Sequence, residues 1–102
     1  MAGKTDPAGI NIYVMDRAFV VVGETITDDG EWVHLKRCAV VRKYGTTHGL
    51  GQIARGGPTK ETILDSEPEG TAIHLRYVLR RIPCNVSAWN KHLAETAYGV
   101  KP

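Results

Sequence analysis

The chain is poor in the residues on which several classes of site depend. Its 102 residues include two cysteines and four histidines, with no Cys-x-x-Cys or His-x-x-x-His pair, so the spacings typical of structural zinc sites are lacking. Cys38 and Cys84 are therefore predicted to be small buried residues in a reducing compartment, with a single disulfide between them as the alternative. The longest apolar run, Ala18–Val22, is far shorter than the ~18 residues of a membrane span. We predict no membrane segment, no metal and no cofactor.

Negative charge is missing from one long stretch. Between Trp32 and Lys60 there are six cations and no carboxylate, although the formal net charge of the whole chain is only +2. The segment that follows, 61–69, has four carboxylates and no cation. A glycine-rich run, Tyr44–Gly51, interrupts the basic stretch.

Cations beside loop amides and a helix start suit a bound phosphate or another anion. The ligand-binding residues predicted on this basis are Arg37, Arg42, Lys43, Tyr44, Thr46, Thr47, His48, Gly49, Arg55 and Lys60. Two plainer interpretations stay open. In the first, the cations form a solvated face of the sheet or prevent other chains from pairing with an exposed strand edge. In the second, the glycine-rich loop is only a tight connection between two elements.

The first half of the chain has the pattern of β-strands. Residues 1–9 are predicted to be a disordered leader, and 10–102 a single β-rich domain. Strands are predicted over Ile10–Met15 and from Arg17 to Thr27, ending at the hairpin signal Asp28-Asp29-Gly30. Val33 and Leu35 then alternate with polar residues. The alternation fails near Arg37, which predicts a bulge or a bend.

The second half of the chain mixes helix and strand patterns. Thr46 or Thr47 is predicted to cap a short helix over Gly49–Arg55, and Asp65–Gly70 to form an acidic loop. One strand is predicted over Thr71–Ile82. Asn85 is predicted to cap a terminal helix through Tyr98, with Val86, Trp89, Leu93 and Ala97 facing inward. The predicted fold is mainly β (β+α): a small curled antiparallel sheet or barrel of five to six strands with a short mid-chain helix and a C-terminal helix.

Several stretches together resemble a small bacteriophage protein family known only as a domain of unknown function. They are Arg17-Ala18-Phe19, Asp29–Leu35, Leu50–Ala54 and Tyr77–Cys84, and their order and spacing carry the likeness. The resemblance implies a viral gene product in the cytoplasm of a bacterial host, and it brings no catalytic residues. In the late strand, where members of the family tend to have an acidic residue, this chain has Arg80 and Arg81.

No set of residues predicts catalysis. His48 stands beside two threonines but has no third group to orient it. The run Gly49–Ala54 matches a relaxed dinucleotide fingerprint, yet its helix is too short for the crossover that such a site requires. We therefore predict a non-enzymatic, homo-oligomeric phage protein that sequesters a small phosphorylated nucleotide. The alternatives are a protein that binds a partner or has a structural role, or one that binds nucleic acid, with Trp32, Tyr44 and Tyr77 stacking on bases.

Overall fold

The computed structural model describes residues 9–67 and 69–96. The predicted leader, apart from Gly9, lies outside the described residues, as do Ala97 and Tyr98. In the described part the predicted mainly β fold is confirmed, with six strands and two α-helices. These elements are β1 (Ile10–Met15), β2 (Val20–Asp28), β3 (Trp32–Lys43), α1 (Leu50–Gly56), β4 (Ile63–Glu67), β5 (Thr71–His74), β6 (Val78–Pro83) and α2 (Val86–Thr96).

All six strands belong to one antiparallel sheet. Its order is β4-β3-β2-β1-β6, and β5 also pairs with β3. The long strand β3 serves two neighbours, because Trp32–Leu35 pairs with β5 and Cys38–Lys43 pairs with β4. The sheet runs from β4 to β6 without closing into a barrel.

The β2–β3 hairpin turns where the Asp-Gly signal predicted. The Asp28 side chain accepts a hydrogen bond from the Gly30 amide at 2.9 Å, and Asp29 accepts from the amides of Glu31 and Trp32 at 2.8 and 2.7 Å. Gly30 has a φ of +88°, a conformation that glycine adopts without steric cost. Aspartate side chains and one glycine thus provide the chemistry of this turn.

The predicted bulge near Arg37 is confirmed. The pairing of β2 with β3 changes register between Val22 and Glu24, and Arg37 takes a φ of +44°. Gly23 lies at the same place, where a Cβ would come within 2.5 Å of the Cys38 Cβ. A bulge adds one residue to one of two paired strands, here β3. The added residue fits because β2 has a glycine, without a side chain, at this point.

The prediction of one strand over Thr71–Ile82 was wrong. A 3₁₀ turn at Leu75–Tyr77 ends β5, and β6 then pairs with β1 on the far side of the sheet. The Leu75 amide donates to the Glu31 carbonyl at 2.8 Å, and the Arg76 amide donates to His74 Nδ1 at 3.2 Å. These bonds stabilise a corner within a stretch whose alternating pattern continues unbroken.

The acidic loop predicted at Asp65–Gly70 was also partly wrong, because Asp65–Glu67 completes β4. Asp65 lies opposite Val40 of β3 and forms an ion pair with Arg42. An opposite charge on the neighbouring strand stabilises a carboxylate within a strand.

The apolar core has two parts. Both helices pack on one cluster, which includes Ile12, Val22 and Ile53 together with the buried Trp89 and Leu93. The second cluster is formed by Tyr13, Val21, Val33, Leu35, Cys38 and Ile73. Alternate residues of β1, such as Ile12 and Tyr13, contribute to different clusters, as the period of a strand requires.

The terminal helix was predicted correctly in most respects. Asn85 Oδ1 accepts a hydrogen bond from the Ser87 amide at 3.1 Å, which confirms the predicted cap. Trp89 is fully buried, and its Nε1 donates to the Ile53 carbonyl at 2.7 Å, linking α2 to α1. Val86, however, was predicted to face inward and is 48% exposed.

Candidate functional site

The glycine-rich loop after β3 is held by the threonines that precede β4. Thr62 Oγ1 donates to the Tyr44 carbonyl at 2.6 Å, and Thr59 Oγ1 donates to the Gly45 carbonyl at 2.7 Å. Gly45 has a φ of +66°, and a Cβ there would collide with the backbone of Glu61. The loop is therefore ordered by contacts with a segment that follows it in the chain.

A glutamine organises the end of this loop. Gln52 Oε1 accepts hydrogen bonds from the amides of Thr47 and His48 at 3.1 and 2.8 Å. Thr46 Oγ1 accepts from the Gly49 amide at 2.9 Å. The prediction that Thr46 or Thr47 caps the helix was wrong, because α1 begins after Gly49, which has no side chain to form a cap.

These bonds change how the loop can recognise an anion. The amides of Thr47, His48 and Gly49 already have acceptors within the chain. The side chains around them are therefore the groups available to a ligand. Gln52 was missed as a site residue, because the helix cap three residues before it is Gly49 and not the serine or threonine of a capping box.

The Thr47 hydroxyl contacts two neighbouring side chains. It lies 3.2 Å from Gln52 Oε1, which accepts its hydrogen bond, and 3.0 Å from His48 Nδ1. These contacts connect the His48 ring to the loop that Gln52 organises.

His48 and Arg55 line the same cleft. The cleft has a volume of about 590 Å³ and is lined by His48, Gly51, Gln52, Arg55 and Gly56. Arg55 is exposed, and none of these lining residues is a carboxylate. In the described part of the chain Arg55 forms no ion pair. Two predicted site residues are thus brought together, beside the loop that contains Thr46, Thr47 and Gly49.

Arg37 and Arg42, by contrast, have partners within the fold. Arg37 Nε lies 2.8 Å from the Glu24 carboxylate, and its two other nitrogens donate to the Asn90 carbonyl and side chain at 3.1 and 2.8 Å. Arg42 makes two bonds to Asp65, at 2.8 and 3.0 Å. The hydrogen bond from Arg42 holds the pKa of Asp65 below its usual value.

Lys43, Tyr44 and Lys60 are not among the residues that line the cleft of Arg55. Lys43 ends β3 and is exposed, and Tyr44 is partly exposed. Lys60 lines a second cleft, also of about 590 Å³, with Thr59, Thr62, Ile63 and His92 among its other residues. The predicted set is therefore distributed over several places rather than gathered in one pocket.

Neither cysteine has the properties of an activated nucleophile. Both are free thiols, and burial raises the pKa of Cys38 to about 11 and that of Cys84 to about 12. A thiol is the protonated, weakly nucleophilic form. Over residues 9–67 and 69–96, no three histidine, cysteine or acidic side chains are grouped so as to hold a metal ion. Among those residues, no helix has the length and apolar character to cross a membrane.

Comparison with protein-family models, curated proteins and solved structures found no match for this chain. The resemblance to a phage family consequently remains a prediction from the sequence.

Proposed function

We propose that this protein captures a small phosphorylated nucleotide without altering it, and that the cleft lined by His48, Gln52 and Arg55 holds a phosphate of that ligand. The observation that carries the proposal is the position of Arg55: an exposed guanidinium in a cleft whose lining contains no carboxylate. Such a cation keeps its donors for a ligand, and arginine binds phosphate with several N–H groups at once.

The size and polarity of the cleft support this function. A volume of about 590 Å³ lies within the range of ~300–1,000 Å³ typical of small-molecule sites. The bonds that Gln52 Oε1 accepts from the loop leave its NH₂ group as a donor. Gln52 and Arg55 thus offer only donors to an anion, with the His48 ring beside them.

The biological setting of the proposal comes from the resemblance to phage proteins. A phage protein that withdraws a cyclic oligonucleotide or an NAD-derived signal would block an antiviral response in the host cytoplasm. Capture requires no nucleophile, base or metal. A ligand of ~45 heavy atoms at ~0.3 kcal/mol per atom can reach ~13 kcal/mol, which corresponds to nanomolar binding.

Native mass spectrometry of the protein purified from infected or signal-producing cells tests the capture directly. We expect a retained small anion that heating releases chemically intact. Release of a converted product would instead make the protein an enzyme. Tight binding to DNA, with affinity falling steeply between ~50 and ~200 mM salt and no binding to nucleotide signals, would favour the nucleic-acid alternative.

Calorimetry with a cyclic dinucleotide locates the site. Arg55→Ala should weaken binding tenfold to hundredfold, or about 1.5–3 kcal/mol, because it removes a charge-assisted hydrogen bond. Gln52→Glu keeps an oxygen acceptor for the loop amides but places a negative charge in the cleft, and it should abolish binding. Arg80→Ala is the matched control, since Arg80 is exposed on β6. Equal affinity in the Arg55 variant and this control would move the site elsewhere.

A further inference from the structure

Exposed aromatic side chains gather at the corner between β5 and β6. The ring of His74 lies 4.7 Å from that of Trp32 and 6.0 Å from that of Tyr77, both in edge-to-face geometry. The Arg76 guanidinium lies 5.6 Å from the centre of the Tyr77 ring. We call these four residues, together with Glu31, the aromatic corner.

The aromatic corner is exposed although its backbone is well ordered. Trp32 is 41% exposed and Tyr77 is 51% exposed. Trp32 lies opposite His74 in the β3–β5 register, and the Leu75 and Arg76 amides bond to Glu31 and His74. Binding to a preformed surface of this kind requires little further ordering.

The two exposed charges of the aromatic corner have opposite signs. Glu31 has a side chain that is 70% exposed, and its carboxylate lies 3.6 Å from His74 Nε2. Arg76 is exposed and contacts the face of the Tyr77 ring. Within residues 9–67 and 69–96, Arg76 and Glu31 form no ion pair with each other. Each can therefore accept a partner of opposite charge from another molecule.

We propose that the aromatic corner is the surface through which a second copy of this chain binds, related by a two-fold axis. A two-fold contact places the same patch on both sides, so that Arg76 of each copy can meet Glu31 of the other. Tryptophan, tyrosine and arginine are also the residues that contribute most to binding at protein interfaces. This proposal is independent of the proposed ligand capture.

Nearby acidic groups favour a second copy over a nucleic-acid strand at this surface. Asp29 lies two residues before Glu31 in the hairpin, and hydrogen bonds from the amides of Trp32 and Glu31 lower the pKa of its carboxyl. Asp29 and Glu31 thus place two acidic side chains just before Trp32 in the chain. Phosphates would be repelled there, whereas the Arg76 of a second copy would be attracted.

Light scattering and sedimentation of the full chain with a charge exchange test the proposal. The wild type should have twice the chain mass of 11.2 kDa. Arg76→Glu and Glu31→Arg should each raise the dimer dissociation constant at least tenfold, because like charges then face each other twice. The double variant should restore it to within about threefold of the wild type. Arg80→Glu, on the neighbouring strand, is the control and should leave the dimer intact.

Tyr77→Ala provides a second test that does not change charge, and circular dichroism confirms that each variant is folded. The Tyr77→Ala substitution should also raise the dimer dissociation constant at least tenfold. An 11.2 kDa particle at every concentration would overturn the proposal. So would a dimer unaffected by Arg76→Glu and Tyr77→Ala, or single variants that dissociate with no recovery in the double variant.

Discussion

The basic stretch, residues 32–60, contains a strand part, β3, and a helix part, α1. These two parts differ in how their charges are balanced. In β3, Arg37 and Arg42 each have a carboxylate partner supplied by a neighbouring strand, Glu24 in β2 and Asp65 in β4. In α1, Arg55 faces a cleft whose lining has no carboxylate. A run of like charges along the chain therefore does not make a positive surface, because strand pairing brings in charges from distant parts of the sequence.

The largest expected effect concerns the attachment of the helix part. Trp89→Ala removes a fully buried indole that also donates to the Ile53 carbonyl of α1. We expect the free energy of unfolding to fall by about 3–5 kcal/mol, and ligand binding in the cleft to weaken because α1 loses its support. Urea denaturation measures the loss.

Val86→Ala is the matched control, since it truncates an exposed residue of the same helix. It should change stability by less than ~0.5 kcal/mol. Equal losses in the two variants would show that Trp89 does not hold α1 in place.

Arg37→Ala tests whether the strand cations stabilise the fold. It leaves the largely buried Glu24 carboxylate without its partner and removes two bonds to Asn90. The free energy of unfolding, measured by urea denaturation, should fall by about 2 kcal/mol. Lys36→Ala, which removes the exposed neighbouring cation, should have almost no effect. A stable Arg37→Ala protein with reduced ligand affinity would instead assign Arg37 to the binding site.

The smallest expected effect belongs to the exposed pair of Arg42 and Asp65. Arg42 lowers the pKa of the Asp65 carboxyl in the folded state, so the pair stabilises the protein above the pKa of an unfolded aspartate. That contribution is lost as the pH falls through the lower folded-state value. Arg42→Ala should therefore shift the urea midpoint slightly at neutral pH, and this shift should disappear as the pH falls through the folded-state pKa of Asp65. A large shift would place Arg42 with Arg37 as a cation that strongly stabilises the fold, whereas a loss of ligand affinity would place it with Arg55.

Much of the fold followed from local patterns. The β-branched residues of β1, the alternation in β3, the Asp-Gly turn, the bulge at Arg37 and the Asn85 cap all depend on residues close together in the chain. The corner at Leu75–Tyr77 was not predicted, because the stretch alternates as a single strand would. Its bend depends on bonds to His74 and to the distant Glu31. Gln52 was overlooked for a related reason, since its role depends on the path of the loop before it.

By itself the sequence determined the strand-rich fold, the hairpin between β2 and β3 and the presence of a basic segment beside a glycine-rich loop. These features arise from residue periodicity, turn chemistry and composition, which are local properties of the chain. Only the tertiary structure decided which cations are neutralised, which amides are already bonded and which aromatic side chains meet. Those outcomes depend on strand register and on side chains more than fifty residues apart, such as Arg37 and Asn90, and such contacts leave no local signal in the sequence.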